Sequence, residues 1–390
     1  MKMKNKSFFT VLFICLLLVS CQNNKQVHFI KADELVFDTD FKPSFFNSGR
    51  FYDKKNHQEF IYFADVRTFK ELKIFTLEGV LKYKISLKDA ILGNYINRLI
   101  LVDLDTIILT TNYNYLNRIF FLNKEGSCWK EIFLDTIITT PINDEFEIDV
   151  SRYGNVVNDN ILYLHYDRLF LKNELAPTNK YECEKYVNNN RYSAPYFLAF
   201  NIKDNNNRLG ADSLYYKFTD INHYGPGSAN YCFINNKLFV FSSYSNKILI
   251  INPNTLQLEK EFYVKSAYTS LRNTFLKVGS DSTYEYHNVI LQTKANIKKI
   301  EYDKVNDLYY VITLHEVNEN AKIRGPHRAF SIHIYDKDFK KLNEQYFESN
   351  IYDPNNFIIT SKGILIENSS TKKEYDSVKK VKFSVFKISK

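Results

Sequence analysis

Three observations predict an all-β fold. Apolar residues alternate with polar ones, or form runs of roughly four to eight residues, from Glu59 to Ile388, with polar turns between the segments. Aromatic side chains make up 16% of the chain, with 29 Tyr and 32 Phe, types that favour a pleated, half-buried surface. Glycine and proline are scarce, at 11 and 8 in 390 residues.

The N-terminus stands apart from this pattern. Lys2, Lys4 and Lys6 precede an apolar run from Phe8 to Val19 that only Thr10 interrupts. The run is too short to cross a bilayer as a helix, so it reads as a cleaved secretory signal. It ends at Leu18-Val19-Ser20-Cys21, which resembles the bacterial lipobox, where small residues precede a cysteine that takes the lipid and becomes the mature N-terminus. The expected organisation is a signal peptide over 1–20, lipidation at Cys21, a polar tether over 21–26 and one β domain over 27–390.

Within that domain, Glu59 to Ala64, Glu71 to Leu77 and Val80 to Leu87 read as successive strands. Arg98 to Leu104, Thr106 to Asn112, Asn117 to Leu122 and Ser127 to Leu134 follow as a meander. The unit recurs through Asn155 to Phe218, Tyr231 to Val264, Ile297 to Phe347 and Phe357 to Ile388. The strongly apolar second strands, marked by Ile61, Ile107, Ile161, Leu238, Leu308 and Ile364, fall roughly 45 to 80 residues apart, the spacing of propeller blades with insertions. The prediction is a six-bladed β-propeller, with seven blades as the alternative. Its last unit has only three strands, and the segment Val27 to Asp38 is expected to supply the fourth and close the ring, leaving no open edge.

Lys237 to Val264 (KLFVFSSYSNKILIINPNTLQLEKEFYV) and Phe330 to Phe347 (FSIHIYDKDFKKLNEQYF), with the lipobox and tether, resemble the six-bladed β-propeller lipoproteins of Bacteroidota. More narrowly, the chain is similar to an uncharacterised family among them, a domain of unknown function. That resemblance implies fold and location and brings no catalytic residues. In that lineage acidic residues just after the lipidated cysteine favour the cell surface. Gln22 to Gln26 has none, so a periplasm-facing outer-membrane lipoprotein is expected, with the cell surface as alternative.

Charge excludes one class of partner. The formal net charge is +8, three units of which leave with Lys2, Lys4 and Lys6, and no basic run resembles a nucleic-acid arm. Cys128, Cys183 and Cys232 are an odd set without metal-ligand spacing, expected to be unbonded. No G-x-S-x-G, H-E-x-x-H, Walker A or G-x-G-x-x-G motif is present. His165, His315 and His333 lie in strand patterns, His165 and His315 near the ends of second strands, but the sequence does not bring the three together, and no metal or cofactor is expected.

Candidate ligand residues come instead from loops expected on one face of the ring. Arg152 and Tyr153 precede one inner strand, and His223 and Tyr224 precede another. Arg324, His327 and Arg328 join second and third strands, where two guanidiniums flanking an imidazole would suit a planar anion. Arg168 opens a long insertion. The functional expectation is a monomeric, membrane-anchored binding module whose basic, aromatic face takes a small anionic ligand, a peptide, a glycan or a partner protein. The alternative is a glycan-active lyase or hydrolase with a His/Tyr/Arg site on the channel axis.

Overall fold

The computed structural model describes residues 27–41, 48–65, 70–87, 96–113, 116–133, 146–150, 156–158, 161–171, 197–201, 207–210, 229–242, 245–255, 257–271, 293–318, 328–369 and 380–389. The chain is all-β and propeller-like. After β1 (His28–Asp38) come four antiparallel strands, β2 (Ser48–Asp53), β3 (Gln58–Asp65), β4 (Glu71–Thr76) and β5 (Leu81–Ser86). A second four-stranded sheet holds β6 (Ile96–Asp103), β7 (Thr106–Tyr113), β8 (Leu116–Leu122) and β9 (Cys128–Phe133).

The next sheet is irregular. It contains β10 (Phe146–Val150), β11 (Val156–Asn158), β12 (Ile161–Leu171), β13 (Phe197–Asn201) and β14 (Asn207–Gly210). Two regular sheets follow: β15 (Ala229–Ile234) to β18 (Leu258–Tyr263) through β16 (Lys237–Ser242) and β17 (Lys247–Ile251), then β19 (Asn296–Asp303) to β22 (Lys341–Phe347) through β20 (Leu308–Leu314) and β21 (Phe330–Tyr335). The last sheet is β23 (Tyr352–Thr360), β24 (Gly363–Asn368), β25 (Lys380–Ser389) and, at its outer edge, β1.

The innermost strands follow one another in a closed circuit, β2 against β6, then β11, β15, β19, β23 and back to β2. This corrects the expected six-bladed propeller and its seven-bladed alternative: among the described residues there are five four-stranded blades, and the strands between β9 and β15 form an irregular five-stranded sheet in place of a regular blade. The cause lies in strand length. β12 has 11 residues but β11 only three, so β11 covers Ile161 to Tyr163 and β10 takes the rest of the same edge, opposite Tyr166 to Leu171. Beside β13 the sheet ends in β14 at Asn207–Gly210, and the last part of the expected unit, 211–218, lies outside the described residues.

Closure by the N-terminal segment is direct. β1 pairs with β25 from His28 opposite Ser389 to Asp38 opposite Lys380, one continuous strand with a bulge at Ala32. Phe37 fixes it, because its fully buried ring meets Phe63, Phe75 and Phe383 with centroids 5.3, 5.6 and 5.8 Å away. Beyond the strand, Asp40 accepts a hydrogen bond from the buried Lys73 ammonium at 2.7 Å. Among the described residues four of the seams between sheets carry an apolar cluster, and strands such as LYYVITL in β20 are buried along their whole length because both faces meet a neighbour.

The sheets have two unlike ends. Short turns join first to second and third to fourth strands at one end; the inter-sheet connections and those between second and third strands leave from the other. The short turns reuse one device. Asp53 accepts the N–H groups of Lys55 and Asn56 and the Asn56 amide, and Asp303 does the same for Val305 and Asn306. Asn235 and Asn236, with φ of 50° and 58°, form the type I′ turn between β15 and β16. Gly126 has φ of 80°, and any Cβ there would run into the Ser86 carbonyl of the preceding sheet.

Phe37→Ala is expected to cost about 3–5 kcal/mol of folding stability, the range for truncating a buried phenylalanine. Val36→Ala, one residue earlier and exposed, is expected to change it by about 0.5 kcal/mol or less. Urea denaturation of both variants checks the pair; equal effects would show that β1 is not held by its inward face.

Candidate functional site

One face of the β20–β22 sheet is apolar and packs on β23–β25, through Tyr310, Ile312, Phe330, Ile332 and Phe347. The opposite face changes character along its length. Near the short turns it presents Tyr309, Val311 and Tyr335 to β15–β18. Towards the long connections the same alternation places Thr313 and His315 on β20 and just beyond it, Ser331 and His333 on β21, and Glu344 and Tyr346 on β22. These side chains meet Ser266, Ala267 and Tyr268, the residues that follow β18.

The deeper part is a buried polar relay. Thr313 Oγ1 lies 2.9 Å from His333 Nε2, and His333 Nδ1 lies 3.6 Å from Glu344 Oε2. Glu344 accepts the Ser266 hydroxyl at 2.5 Å, the Ala267 N–H at 2.9 Å and the Lys341 ammonium at 2.6 Å. Burial holds the His333 imidazole well below its usual pKa despite the neighbouring carboxylate. Burial also opposes ionisation of Glu344, but the hydrogen bonds from Lys341, Ser266 and Ala267 outweigh it and keep the carboxyl below its usual range. His333 Nδ1 has no hydrogen-bond partner. The neutral tautomer with its proton on Nδ1 aims that proton at Glu344 and leaves Nε2 to accept from Thr313, so it suits both neighbours.

Above this relay the chain is pinned by Arg328. Its guanidinium is fully buried and donates to three backbone carbonyls: His315 at 2.8 Å from Nε, with Nη2 also donating there, Lys294 at 2.6 Å and Thr293 at 3.3 Å. Burial lowers its pKa to about 10, still cationic at neutral pH. His315 Nε2 is 2.8 Å from the Ser331 hydroxyl, and burial lowers its pKa to about 4. The outer surface is aromatic: Tyr268 and Tyr346 are 55% and 41% exposed, their ring centroids 5.3 Å apart. The His315 ring sits 5.3 Å from Tyr346 and 6.3 Å from Tyr268, nearly parallel to the latter. An ion pair between Lys294 and Glu316 at 2.8 Å borders it.

Chemically, the two imidazole–hydroxyl pairs have the composition of an activated nucleophile, yet Thr313 and Ser331 are fully buried and no substrate carbonyl reaches them. The relay is therefore a buried support, and the Tyr268–Tyr346 pair above it, backed by His315, is the part of the cluster open to solvent. Among the described residues no group of three or more His, Cys, Asp or Glu is arranged to hold a metal.

Of the sequence candidates, Arg328 is placed, but it is spent on carbonyls and does not offer its donors to solvent. Arg168 lies on β12 opposite Ile148 and His165 opposite Phe197, with both side chains outside the described set. Cys21, Arg152, Tyr153, His223, Tyr224, Arg324 and His327 lie outside the described residues, as does Cys183. Cys128 and Cys232 are free thiols. Tyr268, Tyr346 and Glu344 were not singled out. Glu344 sits in the outer strand KLNEQYF, where an acid reads as solvated, and only the returning chain at Ser266 buries it.

Two predictions follow from this chemistry. Below its unfolded pKa near 6.5 each histidine takes a proton in the unfolded chain but not in the folded one, so stability is full above that pH and falls as pH drops towards the folded value. His315 alone should lose roughly 1.5–2 kcal/mol between pH 7 and pH 5, given its folded pKa of about 4. Melting temperature across that range should flatten in the double variant His315→Gln, His333→Gln; an unchanged slope would contradict the assignment. Arg328→Lys, which keeps the charge but loses the planar fork, should lower stability by about 2 kcal/mol, read by chemical denaturation.

No protein-family model and no curated protein matches the chain. Solved structures do. A member of the DUF4221 family from Bacteroides vulgatus superposes with a TM-score of 0.65 at 16% identity, over 94% of this chain and 99% of that one. An exported protein, so described provisionally, from Bacteroides fragilis superposes with a TM-score of 0.51 at 10% identity, over 94% and 97%. At these identities the likeness is one of fold, and the chain shares its all-β, propeller-like architecture with Bacteroides proteins that include a DUF4221 family member.

Proposed function

We propose that this chain is a membrane-anchored binding module that takes its ligand at the long-connection end of the ring. The carrying observation is the exposed Tyr268–Tyr346 pair backed by His315 and set on a buried, fixed relay. Exposed aromatic rings held in place lose little freedom on binding, which makes them good anchors. The Cys21 lipobox supports the anchor, and the provisional description of the Bacteroides fragilis structure as an exported protein fits it. A periplasm-facing outer-membrane position is the proposed location. Arg324 and His327, on the connection between β20 and β21, remain proposed anion contacts, whereas Arg328 belongs to the support.

Binding is favoured over hydrolysis at this cluster because its hydroxyls are buried beneath the aromatic layer. A thermal-shift screen with small organic carboxylates, phosphates and acidic oligosaccharides tests the reading. A compound that stabilises the parent chain should bind at least roughly tenfold more weakly to the Tyr268→Ala, Tyr346→Ala variant, about 1.4 kcal/mol. Unchanged affinity would move the site elsewhere.

A further inference from the structure

The way β1 closes the ring also fixes which end the tether leaves from. Thr360 and Gly363 flank the short turn between β23 and β24; next to that turn Ile364 pairs with Phe386, and Lys387 pairs with Ile30. The start of β1 therefore lies at the short-turn end of its sheet, and its finish at Asp38 lies towards the long connections. The seven peptide units from Cys21 to His28 reach roughly 25 Å at most. A lipid on Cys21 accordingly holds the short-turn end near the bilayer.

The side chains at that end differ from those around Tyr268. Val305, in the β19–β20 turn, is 74% exposed, and Val80, in the β4–β5 turn, is 60% exposed. Ile30 on β1 is 56% exposed. Trp129, the chain's only tryptophan, follows the β8–β9 turn at a bulge and is 52% exposed with its ring 5.4 Å from Phe121. Lys124 and Lys304 are exposed in the β8–β9 and β19–β20 turns, and Lys54, Lys55 and Lys337 in the β2–β3 and β21–β22 turns, while Asp53 and Asp303 are buried as turn acceptors and Asp336 accepts turn N–H groups. Exposed aliphatic side chains, an interfacial indole and flexible ammonium groups suit a phospholipid headgroup layer. Glu78, Asp103, Asp105, Glu125, Asp307 and Asp338 stay exposed among them, Glu78 paired with Lys362 and Glu125 beside Lys124, so the contact does not depend on anionic lipid.

We infer that the short-turn end of the ring rests on the phospholipid surface, with Trp129 and Val305 at the headgroups and the Tyr268–Tyr346 surface directed away from the membrane. This rests on the lipid-anchor reading above. It needs no new partner beyond the bilayer that the tether already reaches.

The test uses the full chain expressed with acylation, in vesicles of phosphatidylcholine and phosphatidylglycerol carrying brominated acyl chains. Trp129 emission should shift to the blue and lose at least about half its intensity relative to unbrominated vesicles, with little change when phosphatidylglycerol is omitted. Trp129→Phe with Val305→Trp should be quenched similarly, and Trp129→Phe with Tyr268→Trp should not. Quenching at Tyr268→Trp alone, or at none of the three, overturns the orientation. The mass of the N-terminal peptide separates the two readings: an unmodified Cys21 overturns the anchor and this inference together, whereas an acylated chain with unquenched Trp129 overturns the orientation alone.

Discussion

The antiparallel pairing of β1 with β25 is the constraint on which the remaining architecture depends. Each sheet buries its two faces only if a neighbour stands on either side, and a ring supplies neighbours for all sheets only when its ends are joined. The joint is made of backbone hydrogen bonds along 11-residue and 10-residue strands, and Phe37 carries it into the aromatic seam shared with β2–β5. Lys73 and Asp40 then hold the exit of β1 against the same neighbour. Without this pairing β25 would be an open edge, and the seam on Phe63 and Phe75 would lose its central ring.

The same seam logic explains how polar residues come to be buried. Between β15–β18 and β19–β22 the aliphatic packing gives way to Thr313, Ser331, His333 and Glu344 as the sheet nears the long connections. A buried carboxylate is tolerated because three donors satisfy it, and a buried guanidinium because carbonyls surround it. The arrangement gives up apolar stabilisation and gains a fixed backbone at the base of an aromatic surface.

Much of the architecture was legible in the sequence, and the residues show why. Continuous apolar runs in IYFA and KLFVFS mark strands that bury both faces, and Asp53, Asn123, Asn252 and Asp336 mark turns that their side chains close. The three-strand last unit pointed to the N-terminal strand. β2 was not read, because SGRFYD carries a glycine and charges and gains its strand character from the ring around it. The irregular sheet was missed because landmarks on second strands count units and say nothing of how β10 and β11 divide one edge. Within the candidate site, Arg328 looked like an anion receptor because sequence shows its charge and not the carbonyls of Thr293 and Lys294 that approach from elsewhere in the chain. Glu344 and Ser266 are 78 residues apart, so no local pattern links them.

The register of β1 also sets a timetable for folding. His28 is among the first residues of the ring to be synthesised and Ser389 among the last, yet they are opposite one another. The first strand made must therefore wait, unpaired, until nearly all the others exist, and the loop it closes is the longest the chain can form. During that interval Phe29, which packs towards β20–β22, and Leu35 and Phe37, which pack towards β2–β5, have nowhere to go, and a chaperone that shields one short N-terminal segment would protect the whole ring.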